Sequence, residues 1–164
     1  MAAAKVNLVA TRTLPPEHVP QNIKSEIEQS LGMVPSFFGA VPKTAVETAW
    51  MSMRDFESSE ETKLDNKTKQ LIGLGVASQI PCTYCVLYHT EAAKALGATE
   101  EELREATFMA ATTRMWSTVL NGMAVDFREF KDETKEMIQH MKQQMGGSAG
   151  GEKARAQPTS GMRR

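Results

Sequence analysis

The sequence predicts an all-α fold, and three observations carry that prediction. Apolar residues recur at spacings of three and four along most of the chain, glycine or proline punctuates each such stretch, and no segment keeps the apolar/polar alternation of a half-buried strand. With 164 residues, 41% of them apolar, the chain suits one domain with its own core, so a single helical bundle is expected.

Residues 1–20 precede the first periodic stretch. "LPPEHVP" places three prolines there, each removing a backbone donor and excluding helical backbone for its predecessor, so the segment reads as an extended arm. In "QNIKSEIEQSLG", Ile23, Ile27 and Leu31 fall four apart and Gly32 supplies a stop, the pattern of a short amphipathic helix. "MVPSFFGAVPK" reads as a turn carrying two exposed or docking phenylalanines. A second helix is expected over about 42–58, with Pro42 in its first turn and Val46, Ala49, Trp50, Met53 and Phe56 on one inward stripe.

Asp65 is placed to cap the next helix, whose run from Leu71 to Ala77 is almost wholly apolar and implies burial on most sides. Gly73 and Gly75 are costly inside a helix, and their presence points to a neighbouring helix at close range. Pro81 stands near the first turn of a further helix that stops at Gly97. Thr99 and Glu102 form a T-x-x-E capping box and launch a long helix to Gly122. A charged amphipathic helix follows, with Phe127, Phe130, Met137, Ile138 and Met141 expected inward. Trp50, Trp116 and the eleven methionines read as packing and subunit-interface material. Residues 146–164 lack the apolar groups that offset ordering entropy and read as a disordered tail, which leaves 21–145 as the helical domain.

Nineteen basic residues against twenty acidic ones give a net charge of -1, which offers no overall field for nucleic acid or an anionic membrane. No signal peptide and no run of membrane-spanning length is visible, so a cytoplasmic protein is expected. Two cysteines in a chain this long do not make a secreted disulfide scaffold; a close pair in a reducing compartment points to catalysis or metal binding.

That pair lies in "IPCTYCVLYH", where Cys82, Cys85 and His89 share one face of a helix, within an arc of roughly 60°. A cysteine in the first turn meets unsatisfied N–H groups and the positive end of the helix dipole, both of which favour the thiolate. His89, one turn beyond Cys85, is placed to exchange protons near neutrality. A zinc site is the second reading, but Cys82 and His89 are separated by a rise of roughly 10 Å, too far for one ion if both are helical. An unwound first turn, or completion by His18 or His140, would relax that objection. The third reading is two buried thiols and a core histidine.

"LGMVPSFFGAVPKTAVETAW" and "LDNKTKQLIGLGVASQIPCTYCVLYHTEAAKALGATEEELREAT" resemble the alkylhydroperoxidase (AhpD-like) branch of the carboxymuconolactone decarboxylase superfamily, over roughly residues 30–125. The resemblance rests on C-x-x-C-x-x-x-H, the apolar helix before it and the Gly-Ala turn after it. It implies an AhpD-like helical bundle assembling as a homotrimer or homohexamer, and a thiol-dependent peroxidase needing neither metal nor other cofactor. On that likeness Cys85 attacks a small hydroperoxide, Cys82 resolves the product as a disulfide, and His89 relays protons. The reductant would be a dithiol protein or a lipoamide-type carrier. The family usually has glutamate twelve residues before the first cysteine, where this chain has Gln70, and founding members have a second histidine where this chain has Tyr84. An amide exchanges no proton at neutral pH, so Gln70 would orient a water or His89 without acting as the terminal base. Two alternatives accompany this reading: a non-redox enzyme of the lactone decarboxylase type, and a non-catalytic assembly protein that responds to redox state.

Overall fold

The computed structural model describes residues 12–153, and among these every regular element is helical. Six α-helices follow in order: α1 Gln21–Leu31, α2 Val46–Ser52, α3 Asn66–Gln79, α4 Thr83–Ala95, α5 Glu100–Gly122 and α6 Phe127–Lys153. A 3₁₀ turn, Ser36–Ala40, precedes α2, and a π turn, Met53–Glu57, extends it. The described residues fall into two compact units, with the boundary after Ala111, inside α5.

In the first unit, α1 and α2 enclose one core cluster of Val19, Ile23, Ile27, Phe38, Val46 and Trp50. Phe38 is therefore core and only Phe37 stands out to solvent. The expected helix over 42–58 is shorter at its start, beginning at Val46 rather than Pro42, and its last turn is the π turn. A π turn inserts one residue into the helical register, so Phe56, on stripe by α-helical counting, swings out to 61% exposure.

A second cluster joins Leu74 of α3, Ala93 of α4 and Leu103 of α5, with Leu71, Val86 and Ala98 packed against it. The α3 side chains are buried on one face only. Ile72 and Val76 are about half exposed, so the expectation of burial on most sides of 71–77 fails: only Leu74 and Ala77 are fully covered there. The caps match the sequence signals. Asp65 accepts from the Thr68 backbone N–H at 2.8 Å, Thr99 and Glu102 make both bonds of the capping box at 2.7 and 3.1 Å, and Gly32 and Gly97 end α1 and α4 in the left-handed region, where a Cβ would be strained.

In the second unit no described residue from 112 to 145 is buried. Phe127, Met137, Ile138 and Met141, expected inward on α6, stand 45–76% exposed, and Trp116 is 57% exposed. The helix continues past Gly146 to Lys153, so it enters the segment expected as a tail; residues 154–164 of that segment, and 1–11 of the expected arm, lie outside the described residues. Over 12–20 the arm has no helix, and His18 Nε2 bonds the Val41 carbonyl at 2.7 Å.

Candidate active site

Cys82 is the N-cap of α4 rather than a residue of its first turn, and Cys85 is the third residue of that helix. The two are joined as a disulfide with their Cα atoms 5.3 Å apart. The Cys85 backbone N–H donates to Cys82 Sγ at 3.2 Å, so the sulfur occupies the place that a serine or aspartate oxygen takes in an ordinary cap. Both sulfurs lie where the unpaired N–H groups of the helix start concentrate positive potential, the condition that lowers a thiol pKa once the bond is reduced. Cys82, Cys85 and His89 are all half-buried.

His89 and Gln70 come together, one of the two arrangements the sequence reading allowed for Gln70. Gln70, only 3% exposed, turns its Oε1 to His89 Nδ1 at 2.7 Å across the α3–α4 packing. The carbonyl accepts, so Nδ1 carries the proton and Nε2 is the basic nitrogen of the neutral ring. Gly73, one turn along α3, makes room for that ring: a Cβ there would lie 2.5 Å from His89 Cε1 and 2.6 Å from Nδ1. The close neighbour that its presence implied is thus the site histidine itself. Gly75 faces the Ala106 carbonyl and Ala110 of α5 at ordinary contact distance.

Two contributors had no signal of their own in the sequence. Tyr88 packs edge-on to His89, with ring centroids 5.2 Å apart and planes at 69°. Its phenol is pushed up from its usual range by partial burial first and then by the negative charge of the Glu57 carboxylate. A helical wheel drawn around Cys85 would have found Tyr88 one turn on; Glu57, about thirty residues away at the end of the π turn, carries no local pattern. Beside Gln70, the buried Lys69 donates to the Phe56 and Ser59 carbonyls at 2.6 and 2.9 Å and to Thr62 Oγ1 at 2.8 Å, pinning the segment that holds Glu57.

An open cleft of about 500 Å³ runs between α3, α4 and α5, lined by Leu74, Val86, Thr90, Leu103 and Phe108 among others; neither cysteine nor His89 borders it. Among the described residues no group of three or more His, Cys, Asp and Glu side chains converges to hold a metal ion. Among the same residues no helix is long and apolar enough to cross a membrane.

The fold and part of the sequence have counterparts in known proteins. The crystal structure of the alkylhydroperoxidase AhpD core from Rhodospirillum rubrum superposes with a TM-score of 0.61 at 22% identity, covering 73% of this chain and 94% of that one, which establishes a shared fold. A Paracoccus denitrificans protein described as "Uncharacterized protein 4 in cox locus" is 43% identical over 51 residues, 31% of this chain; the chain spans about half (46%) of that relative's length. Residues 44–126, about half of the sequence, match the profile of the Carboxymuconolactone decarboxylase family and take in α2 to α5 with the cysteine pair, Gln70 and His89. By that match and that fold, the chain belongs to the carboxymuconolactone decarboxylase family.

Proposed function

We propose that the protein is a thiol-dependent peroxidase of the alkylhydroperoxidase type, working through Cys85 and Cys82. The observation that carries this reading is the reversible-looking pair itself: two half-buried sulfurs bonded at the head of α4, with an imidazole of fixed tautomer one turn beyond. Reduced Cys85 attacks the peroxide as thiolate, the O–O bond breaks, and a proton converts the departing alkoxide to alcohol while Cys85 becomes a sulfenic acid. Cys82 then displaces water from that sulfenic acid and closes the disulfide. A dithiol, from a reductant protein or a lipoamide-type carrier, returns both sulfurs to thiols and leaves as its own disulfide. His89 accepts and returns protons at Nε2, and Gln70 holds the ring.

The same reading places the protein in the cytoplasm, where thiols are kept reduced, as a homotrimer or homohexamer that covers the apolar side chains of α6. Those exposed side chains also favour a second reading, a non-catalytic assembly protein whose disulfide alters packing. Consumption of a hydroperoxide with dithiothreitol as donor separates the two: turnover should be abolished in Cys85→Ser and should fall strongly in Cys82→Ser. Full turnover in Cys85→Ser overturns the peroxidase reading. A change of oligomer size between oxidised and reduced protein, with no turnover, selects the assembly reading. Turnover of a lactone acid that needs His89 but neither cysteine would return the chain to the non-redox decarboxylases.

A further inference from the structure

The first unit carries a cleft and the second a stripe, and the cysteine site uses neither. The cleft, about 500 Å³, has its floor on α3 at Leu74 and its walls on α4, from Val86 to Lys94, and on α5, from Leu103 to Ala111. Each of these wall stretches rises about 12 Å, room for two turns of a helix. Little in the cleft asks for a polar ligand. Ser78 and Thr107 spend their hydroxyl protons inside their own helices, on the Leu74 and Leu103 carbonyls at 2.9 Å, while Lys94 and Arg104 at the edge are engaged by Glu100 and Glu101. What remains is apolar: Leu74, Val86, Leu103 and Phe108, the last 71% exposed.

On α6, Thr134, Met137, Ile138 and Met141 stand at i, i+3, i+4 and i+7, the spacing of helix anchors that seat in a groove. They cover a rise of about 10 Å, and with Phe127 and Phe130 they keep to an arc of about 100°. Met137, Ile138 and Met141 are 45–55% exposed, and Thr134 hides its polarity by donating to the Phe130 carbonyl at 2.7 Å. An arc that wide, kept for under three heptads, is the stripe of a helix that packs on a globular surface rather than the seam of a coiled coil. Arg128, Lys131, Lys135 and Lys142 run along the edge of the stripe beside Ile138, and the outer rim of the α5 wall carries Glu101 and Glu105. Cleft and stripe thus agree in length, polarity and charge. We propose that the α3–α4–α5 cleft is the seat for α6 of a second copy of this chain. This deepens the homo-oligomer of the reading above and does not depend on its peroxide chemistry. Val86 follows Cys85 directly, so the seated helix braces α4 at the residue next to the attacking sulfur.

The test uses the full chain with one added thiol at a time, Thr107→Cys in the cleft and Thr134→Cys on the stripe, linked by a short bismaleimide. Without reductant the native pair stays closed as a disulfide and does not react. Co-expressed, the two variants should give a linked dimer on a denaturing gel, and each alone should run at the mass of one chain. A chain carrying both substitutions should link into species of two or more chains. Linking by Thr134→Cys alone overturns the proposal in favour of α6 against α6. Loss of both added thiols in the double variant with no gain in mass overturns it in favour of closure within one chain, and no linking in any arm overturns it outright. Phe108→Asp, at a position already open to solvent, should keep the parent circular dichroism and weaken self-association about tenfold or more in sedimentation velocity. A parent that sediments as monomer removes the assembly itself, whereas an oligomer that Phe108→Asp leaves unchanged removes only this seat. Neither result bears on peroxide turnover, which is measured separately.

Discussion

Gln70 and Gly73 sit one turn apart on α3 and both face His89, so each offers a substitution with a determined sign. Gln70→Glu sets a proton-exchanging group 2.7 Å from Nδ1 in place of an amide. If His89 carries protons for the sulfurs, peroxide-driven thiol loss followed by stopped flow should speed up by about tenfold or more. Gly73→Ala tests the opposite balance. In a helix interior the exchange ordinarily gains about 1 kcal/mol, but a Cβ 2.5 Å from the imidazole forces a shift of the kind that costs about 1–3 kcal/mol, so the clash wins. Thermal unfolding should occur at lower temperature and turnover should fall; a rise in both would show that the notch is not needed. At this scale the sequence was largely legible. Cys82, Cys85, His89 and Gln70 are set by helical spacing and a motif; the structure joins the two cysteines to each other and Gln70 to His89. Glu57 escaped because it closes a π turn whose register shift no α-helical periodicity encodes, and Tyr88 because its ring contact with His89 belongs to no motif.

The helix starts make a prediction of their own. Asp65 is held below the usual carboxylate range chiefly by the Thr68 backbone N–H, and Glu102 chiefly by its bond to Lys67 at 2.6 Å, with the Thr99 N–H next. A carboxylate whose folded pKa is depressed stabilises the fold above its unfolded value and loses that contribution as pH falls through the folded one. The melting temperature should therefore hold near neutrality and decline below about pH 4, and Asp65→Ala should both lower it by a few degrees at pH 7 and flatten the acid decline, measured by circular dichroism. Caps and stops were the most readable elements, since each is a local contract between two or three residues. The second helix was misjudged at its start and in the register of its last turn, because these are set by the packing of Val46 and Trp50 against α1 and by Lys69 reaching back to Phe56.

For the whole molecule, the apolar stripe of α6 raises the question of what covers it. Ile138 and Met141 are 45% and 55% exposed, and a chain with such side chains in water should associate. Sedimentation velocity should find a trimer or hexamer, and Ile138→Asp with Met141→Glu should shift it toward monomer; a parent that sediments as monomer at micromolar concentration would contradict this. The sequence pattern marked these residues as apolar and periodic, which was right, but periodicity reports only that a face wants covering. It does not say whether the cover comes from the same chain.

The cap made by Cys82 bears on how the protein would cycle. In the disulfide its sulfur stoppers the helix through the Cys85 amide, and because sulfur keeps lone pairs after the bond opens, the first turn is expected to survive the loading and unloading of electrons. Helix content should then be the same before and after dithiothreitol, and the machine would idle in either redox state at no conformational toll.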